Sequence, residues 1–331
     1  MRPASDVQSA ALTSEHDPVT RGGPGAGTRD RRSRAACALA TAGLAFAAAT
    51  VAAQDLEPRT YAPNPTGANF VLAAFGHTTG SVVFDPSLPF ENVTAQVNGA
   101  TLLYGRTFGL LGRSASAGLG VPYVWGTMEG EVQEEYRHIR RSGLADLRLR
   151  LTMNLVGGPA LAPADFAKRR PRTSFGSSVV VVAPSGQYDP AKLVNIGANR
   201  WAVKPEVGVV HPAGRWMLEA YAGAWLFTKN PDFYGGQSRE QSPLATLQGH
   251  VSYTFKPRLW VAGNATFYTG GRTRIAGEPK ADLQENSRLG LTLAVPITRR
   301  HSIKAAWATG FTTRVGGDFD TVIVGWQYLW F

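Results

Sequence analysis

The chain has 331 residues, with 34 Lys and Arg against 24 Asp and Glu, a formal net charge of +10 and a single cysteine. Mean hydropathy is −0.13, and after residue 53 no run approaches the ~18 consecutive apolar residues of a membrane-crossing helix, so a helical membrane protein is not expected. The basic residues lie scattered singly or in pairs without a recognition motif, which argues against nucleic acid as a partner, and one cysteine supports neither a disulfide framework nor a cysteine-ligated metal.

Met1–Thr28 is rich in Gly, Pro, Ser and Asp and has no periodicity. Arg29–Arg34 forms a positively charged region, Ala35 to about Thr50 an apolar, alanine-rich core, and Val51-Ala52-Ala53 a small-residue cleavage pattern. Residues 1–53 therefore read as leader and signal peptide, cleaved after Ala53 and exported by the general secretory route. Cys37 opens the apolar core instead of following it, so it is no lipoprotein anchor. Residues 54–69 carry three prolines and read as a periplasmic lead-in, the natural candidate for a plug.

From residue 70 to the end the chain breaks into twelve strand-like runs: 70–77, 94–108, 114–126, 143–155, 173–184, 201–210, 215–227, 244–255, 259–269, 287–296, 302–313 and 320–330. The stretch from Leu144 to Leu155 shows the pattern best. Its odd positions hold Ala, Leu, Leu, Leu, Met and Leu, and its even positions from Asp146 hold Asp, Arg, Arg, Thr and Asn. Side chains alternate across a strand, so one face is apolar and the other polar. A twelve-residue run is about twice the usual soluble strand and matches a membrane-spanning one. The expected fold class is all-β: a transmembrane antiparallel β-barrel of about twelve strands over 70–331, with both termini periplasmic. Connection lengths agree. Short turns sit at 109–113, 212–214, 256–258 and 297–301, and long loops at 78–93, 127–142, 185–200, 228–243 and 270–286, the alternation of outer-membrane barrels. Val156–Arg172 breaks the rule as a long turn with a short helix around Pro163–Arg170. The last strand ends in Trp326-Gln327-Tyr328-Leu329-Trp330-Phe331, and Phe331 would address the barrel-insertion machinery.

Asp146, Arg148, Arg150, Lys204, Glu206 and Glu219 fall on the inward parity of strands four, six and seven. Buried ions must be paired or wetted. They form either a polar constriction on a substrate path or a ladder of salt bridges bracing the wall, and the brace is preferred. Loop 185–200 offers Tyr188, Asp189 and Arg200, and loop 228–243 offers Phe233 and Tyr234, as contacts for an amphipathic ligand or as plain turn residues. Inward-facing His250, near Ser252, is the only hint of hydrolytic chemistry, and its simpler reading is a hydrogen-bonded lumen residue. No HExxH or GxSxG motif occurs. No catalytic residue, metal site or cofactor is expected.

Several segments resemble one family. They are Gly143-Leu144-Ala145-Asp146 with its Arg-Leu-Arg-Leu continuation, Pro184-Ser185-Gly186-Gln187-Tyr188-Asp189-Pro190, Lys192–Trp201, Lys204-Pro205-Glu206, Gln248–Tyr253 and Gly316-Gly317-Asp318-Phe319-Asp320. Together they are similar to the outer-membrane barrel family labelled for the meta-pathway of phenol degradation, whose members carry the general name transporter. The resemblance runs from about Leu56 to Phe331. It implies an outer-membrane location, contact with lipid and lipopolysaccharide, and passive uptake of small aromatic or hydrophobic cargo. A structural, non-conducting barrel and a barrel enzyme remain as alternatives.

Overall fold

The computed structural model describes residues 56–83, 90–132 and 135–331. The leader, the Ala53 cleavage site and Cys37 lie outside the described residues. The strands in chain order begin with β1 (Asn69–Val83), β2 (Phe90–Leu110), β3 (Arg113–Val132), β4 (Glu135–Leu144), β5 (Arg148–Val156) and β6 (Ser174–Val182). Next come β7 (Ala202–Ala213), β8 (Trp216–Phe227), β9 (Asn230–Phe233), β10 (Gln237–Gln241), β11 (Leu244–Lys256) and β12 (Leu259–Gly270). The last are β13 (Thr273–Ile275), β14 (Glu278–Pro279), β15 (Gln284–Pro296), β16 (His301–Thr312) and β17 (Gly316–Trp330).

Every neighbouring pair in the wall is antiparallel, and β1 pairs with both β2 and β17, which closes the sheet on itself. Strands β4 and β5 both pair with β3 and act as two halves of one wall strand, so the barrel has twelve staves. A closed barrel leaves no edge and no unpaired backbone toward lipid.

The period-2 pattern sets which face meets what. Leu149, Leu151 and Leu155 stand exposed on the outside, as do Leu247, Val251, Leu289, Leu291 and Leu293. Their neighbours Thr152, Asn154, Thr246, Gln248, Arg288 and Thr292 are buried inside. So much exposed apolar surface in a continuous band is the mark of a membrane-facing wall. Aromatic rings cluster at the turn end, where Trp326, Tyr328 and Trp330 stack in sequence and His301 lies against Trp326, as an interfacial girdle requires.

Two differences from the sequence reading have physical causes. The connections expected at 78–93 and 127–142 are mostly strand, because β1–β4 continue their ladders past the point where outward side chains turn polar (Thr79, Thr94, Gln96). Loss of the apolar face marks the end of lipid contact and not the end of pairing. As a result β2 and β3 have 21 and 20 residues while β11 and β12 have 13 and 12, so the rim is high on one side and low on the other. Second, Leu144–Leu155 is not one strand. Opposite it stands Pro122, which has no N–H for the ladder; Leu144 pairs with Tyr123 and Arg148 with Gly120, so one extra residue bulges out. Parity flips there, and Leu144 and Leu149 both face outward.

The helix expected near 163–170 is α1 (Pro163–Lys168), begun by Pro163, which has no amide hydrogen to leave unbonded. Strands β9, β10, β13 and β14 form a separate four-stranded sheet above the low rim.

Candidate functional site

The lumen is entered from both ends by the chain itself. From the turn end, residues 56–68 run inward and lie along the inner faces of β5–β8 and β11. Tyr61 is their anchor and is fully buried. Its hydroxyl donates to Glu206 Oε1 at 2.9 Å and lies 2.8 Å from the Ser178 hydroxyl. Its ring packs edge-on against Tyr221, centroids 4.8 Å apart. A Cβ on Gly176 or Gly208 would fall 2.6 or 2.3 Å from that ring, so two glycines on the inward parity of β6 and β7 make its seat. Asn154 donates to the Tyr61 carbonyl at 2.8 Å. Two residues earlier, the Arg59 amide donates to both Glu219 oxygens (2.8 and 3.1 Å), and its guanidinium reaches Ser252 and Thr254 and covers the Trp260 ring.

Glu206 is the hub of the charged side. It accepts from Lys204 Nζ at 2.7 Å, Arg150 Nη2 at 3.2 Å and Gln248 at 2.9 Å as well as from Tyr61. Arg150 also meets Glu57 of the inserted segment at 3.2 Å. Arg148 lies 5.6 Å from the Trp225 ring. Of the seven inward residues read from the sequence, Arg150, Lys204, Glu206 and Glu219 therefore share a network that grips residues 56–61. His250 lies against the Tyr221 ring at the edge of that network, centroids 4.9 Å apart, with its Nδ1 2.8 Å from Asn264 Oδ1. Ser252 accepts from Arg59, so no Ser–His pair forms.

Asp146 is placed differently from its expected position on the inner ladder. It lies in the bulge between β4 and β5, and its carboxylate accepts the Gly186 and Ala198 amides at 2.8 and 2.9 Å. Its role is to pin the loop 183–201. Leu147 N donating to Ser185 Oγ and Gln187 N donating to the Leu144 carbonyl finish the join. Gly186 and Gly197 touch backbone to backbone, where a Cβ on Gly197 would come within 2.8 Å.

That loop folds over the mouth. Val194 and Ile196 pack into an apolar cluster with Val82, Val93, Val124 and Phe319 on the high side. Leu193 reaches the other way to Phe233 and Ile275. Tyr188 donates to the Asp232 carbonyl at 2.9 Å and accepts from Asn230, and burial raises its hydroxyl pKa. Asp189 stays at the surface, held below the usual carboxylate range chiefly by its bond from Lys192. Arg200 donates to Gln241 at 2.5 Å, and Phe233 is buried while Tyr234 packs partly against it. Of the five loop residues read from the sequence, Tyr188, Arg200 and Phe233 join the two loops across the mouth, Tyr234 packs at their edge, and Asp189 stays outside the join.

The remaining inner wall differs in chemistry. Leu72, Ala74, Thr101, Leu103, Ala306 and Ile323 of β1, β2, β16 and β17 face inward and are only half-buried. The interior therefore has a charged side filled by residues 56–61 and a more apolar side on β1, β2, β16 and β17, interrupted by Thr101, Lys304 and Gln327, with Val194 and Ile196 packed at its upper end. Sequence reasoning missed Tyr61, Arg59, Gly176, Gly208, Val194 and Ile196. Tyr61 is the only aromatic between residues 54 and 69, which was the one available signal. Among the described residues, no group of three or more His, Cys, Asp or Glu is placed to hold a metal.

Residues 65–322 match the model of the family described as "Putative MetA-pathway of phenol degradation". No curated protein sequence matches the chain. Among solved structures, the COG4313 outer membrane channel from Pseudomonas putida F1 is similar with a TM-score of 0.70 at 19% identity, covering 83% of this chain and 100% of that one. The transport unit of the autotransporter AIDA-I from Escherichia coli gives 0.49 at 10% identity, covering 89% and 98%. The KdgM porin gives 0.43 at 9% identity, covering 78% and 98%.

Proposed function

Because the chain belongs to the phenol-degradation MetA-pathway family, whose model spans most of it, we propose that it is a passive outer-membrane channel for small aromatic or apolar compounds, drawn here with its mouth shut. The observation that carries this reading is the two-sided lumen: a half-buried apolar lining on β1, β2, β16 and β17, closed above by two aliphatic side chains of one loop. A solute with an apolar body would travel along that lining while the charged side keeps residues 56–61 in place. No covalent step and no cofactor is required. The partners expected are membrane lipid and lipopolysaccharide outside, the insertion machinery at Phe331, and the solute within.

The test is conductance in planar bilayers and swelling of liposomes, using the full chain and Val194→Asp/Ile196→Asp. Placing two carboxylates in the apolar seal costs several kcal/mol unless the loop moves away, so open events should rise at least ~10-fold over the parent. If the double variant migrates as a folded, heat-modifiable barrel and still shows no steps, a non-conducting structural barrel is the better reading. The fully buried Tyr61 and its network are what favour that alternative. For cargo, deletion of the gene should slow growth on single aromatic carbon sources and leave growth on succinate unchanged.

A further inference from the structure

At the low rim, two arginines are buried without enough acceptors. Arg200 is 7% and Arg239 9% exposed. Nη1 of Arg200 and both Nε and Nη2 of Arg239 are shut away from solvent with no hydrogen-bond partner. Arg239 and Gln241 share the inward face of β10, and Arg200 reaches that strand through its bond to Gln241, so the two guanidinium groups lie close enough for one charge to act on the other. Each carries a full charge, because arginine does not give up its proton in proteins. Burial lowers both affinities for that proton, Arg239 to about 10, and Arg239 itself adds to the lowering at Arg200.

The neighbouring carboxylates offset part of the charge, Asp282 at Arg239 and Asp146 at Arg200, but accept no hydrogen bond from these three nitrogens. Asp146 accepts two loop amides, Asp282 accepts the amide and hydroxyl of Thr273, and Glu240 points outward to Lys229. Donors of a buried cation left without acceptors are strongly unfavourable, and an arriving anion would relieve that. The surroundings are aromatic. Arg200 lies 4.3 Å over the Phe227 ring and Arg239 5.7 Å from that of Phe233. Just below, Val180, Val182, Trp225, Leu244 and Tyr268 form an apolar floor with Phe227 at its edge.

We infer that the mouth contains a binding site for a small organic acid, with its carboxylate between Arg200 and Arg239 and its apolar or aromatic body on the floor around Trp225 and Phe227. Planar guanidinium forks suit the two oxygens of a carboxylate, and the rings suit the body. The carboxylate would compete with Gln241 for Arg200 and so loosen one end of the loop that shuts the mouth. In its physiological role the site rests on the channel reading; as a binding site it stands without it.

Isothermal titration of the detergent-purified, folded full chain with benzoate, benzamide, acetate and inorganic phosphate tests it. Benzoate should bind, with benzamide, acetate and phosphate each at least ~10-fold weaker, because each lacks the charge or the ring. Arg239→Gln and Arg200→Gln should each weaken benzoate at least ~10-fold. Arg200→Gln serves as the second variant, since residue 200 lies outside the β10 sheet and only its side chain touches it. Benzamide equal to benzoate would overturn the anion site, acetate or phosphate equal to it would overturn the aromatic half, and unchanged binding in both variants would overturn the whole assignment. Benzoate binding with no conductance in the loop variants would sink the channel reading alone.

Discussion

Glu206 gathers four side-chain partners in the interior. It answers Lys204, which is 3% exposed, and with it Arg150, Gln248 and the plug residue Tyr61. Removing one member of a buried ion pair strands the other, at ~3–5 kcal/mol, whereas replacing both by apolar residues of similar size is far less harmful. Glu206→Leu should therefore lower barrel stability by about 3–5 kcal/mol, and Lys204→Met/Glu206→Leu by clearly less, as read from unfolding midpoints in detergent. Equal losses in the single and double variants would mean that the pair does not carry the brace. Period-2 reading found Arg150, Lys204, Glu206 and Glu219, because inward parity is a local property. It could not find Tyr61, whose partners Ser178 and Glu206 lie 117 and 145 residues away in sequence.

At the scale of elements, Asp146 supplies two of the hydrogen bonds that tie the loop 183–201 to the wall and to the neighbouring loop. Amide donors to a carboxylate contribute ~1.5–3 kcal/mol each. Asp146→Ala should free Gly186 and Ala198 and loosen the backbone around Lys192, whose side chain already lies at the surface with its ion pair to Asp189. Trypsin should then cut after Lys192 at least ~10-fold faster than in the parent, one bond's worth of protection, while the rest of the barrel stays intact. An unchanged cutting rate would place the anchor elsewhere. Here parity misled the sequence reading. A one-residue bulge opposite Pro122 shifts Asp146 off the inner ladder and turns a lumen charge into a loop pin. Single-sequence alternation carries no mark of a bulge unless the facing proline is already known to be its neighbour.

For the whole molecule, strand number, closure and turn parity were legible because each stave repeats the same outward hydrocarbon signal, and all twelve expected runs correspond to staves. The inserts were not legible, since a segment that packs inside a barrel needs no periodicity of its own. Strand length above the membrane was also hidden, because it is carried by pairing and not by hydropathy. The uneven rim that results has a bearing on how cells present this protein. A stave of 21 residues at ~3.3 Å each and tilted by about 40° rises roughly 50 Å, some 25 Å beyond the hydrocarbon band. A tag peptide spliced between β3 and β4 would stand clear of the sugar coat and be stained by antibody on intact smooth-strain bacteria. The same tag at Gly235-Gly236, on the low side, would be stained only on deep-rough mutants, and equal staining at both sites would mean the two flanks reach the same height.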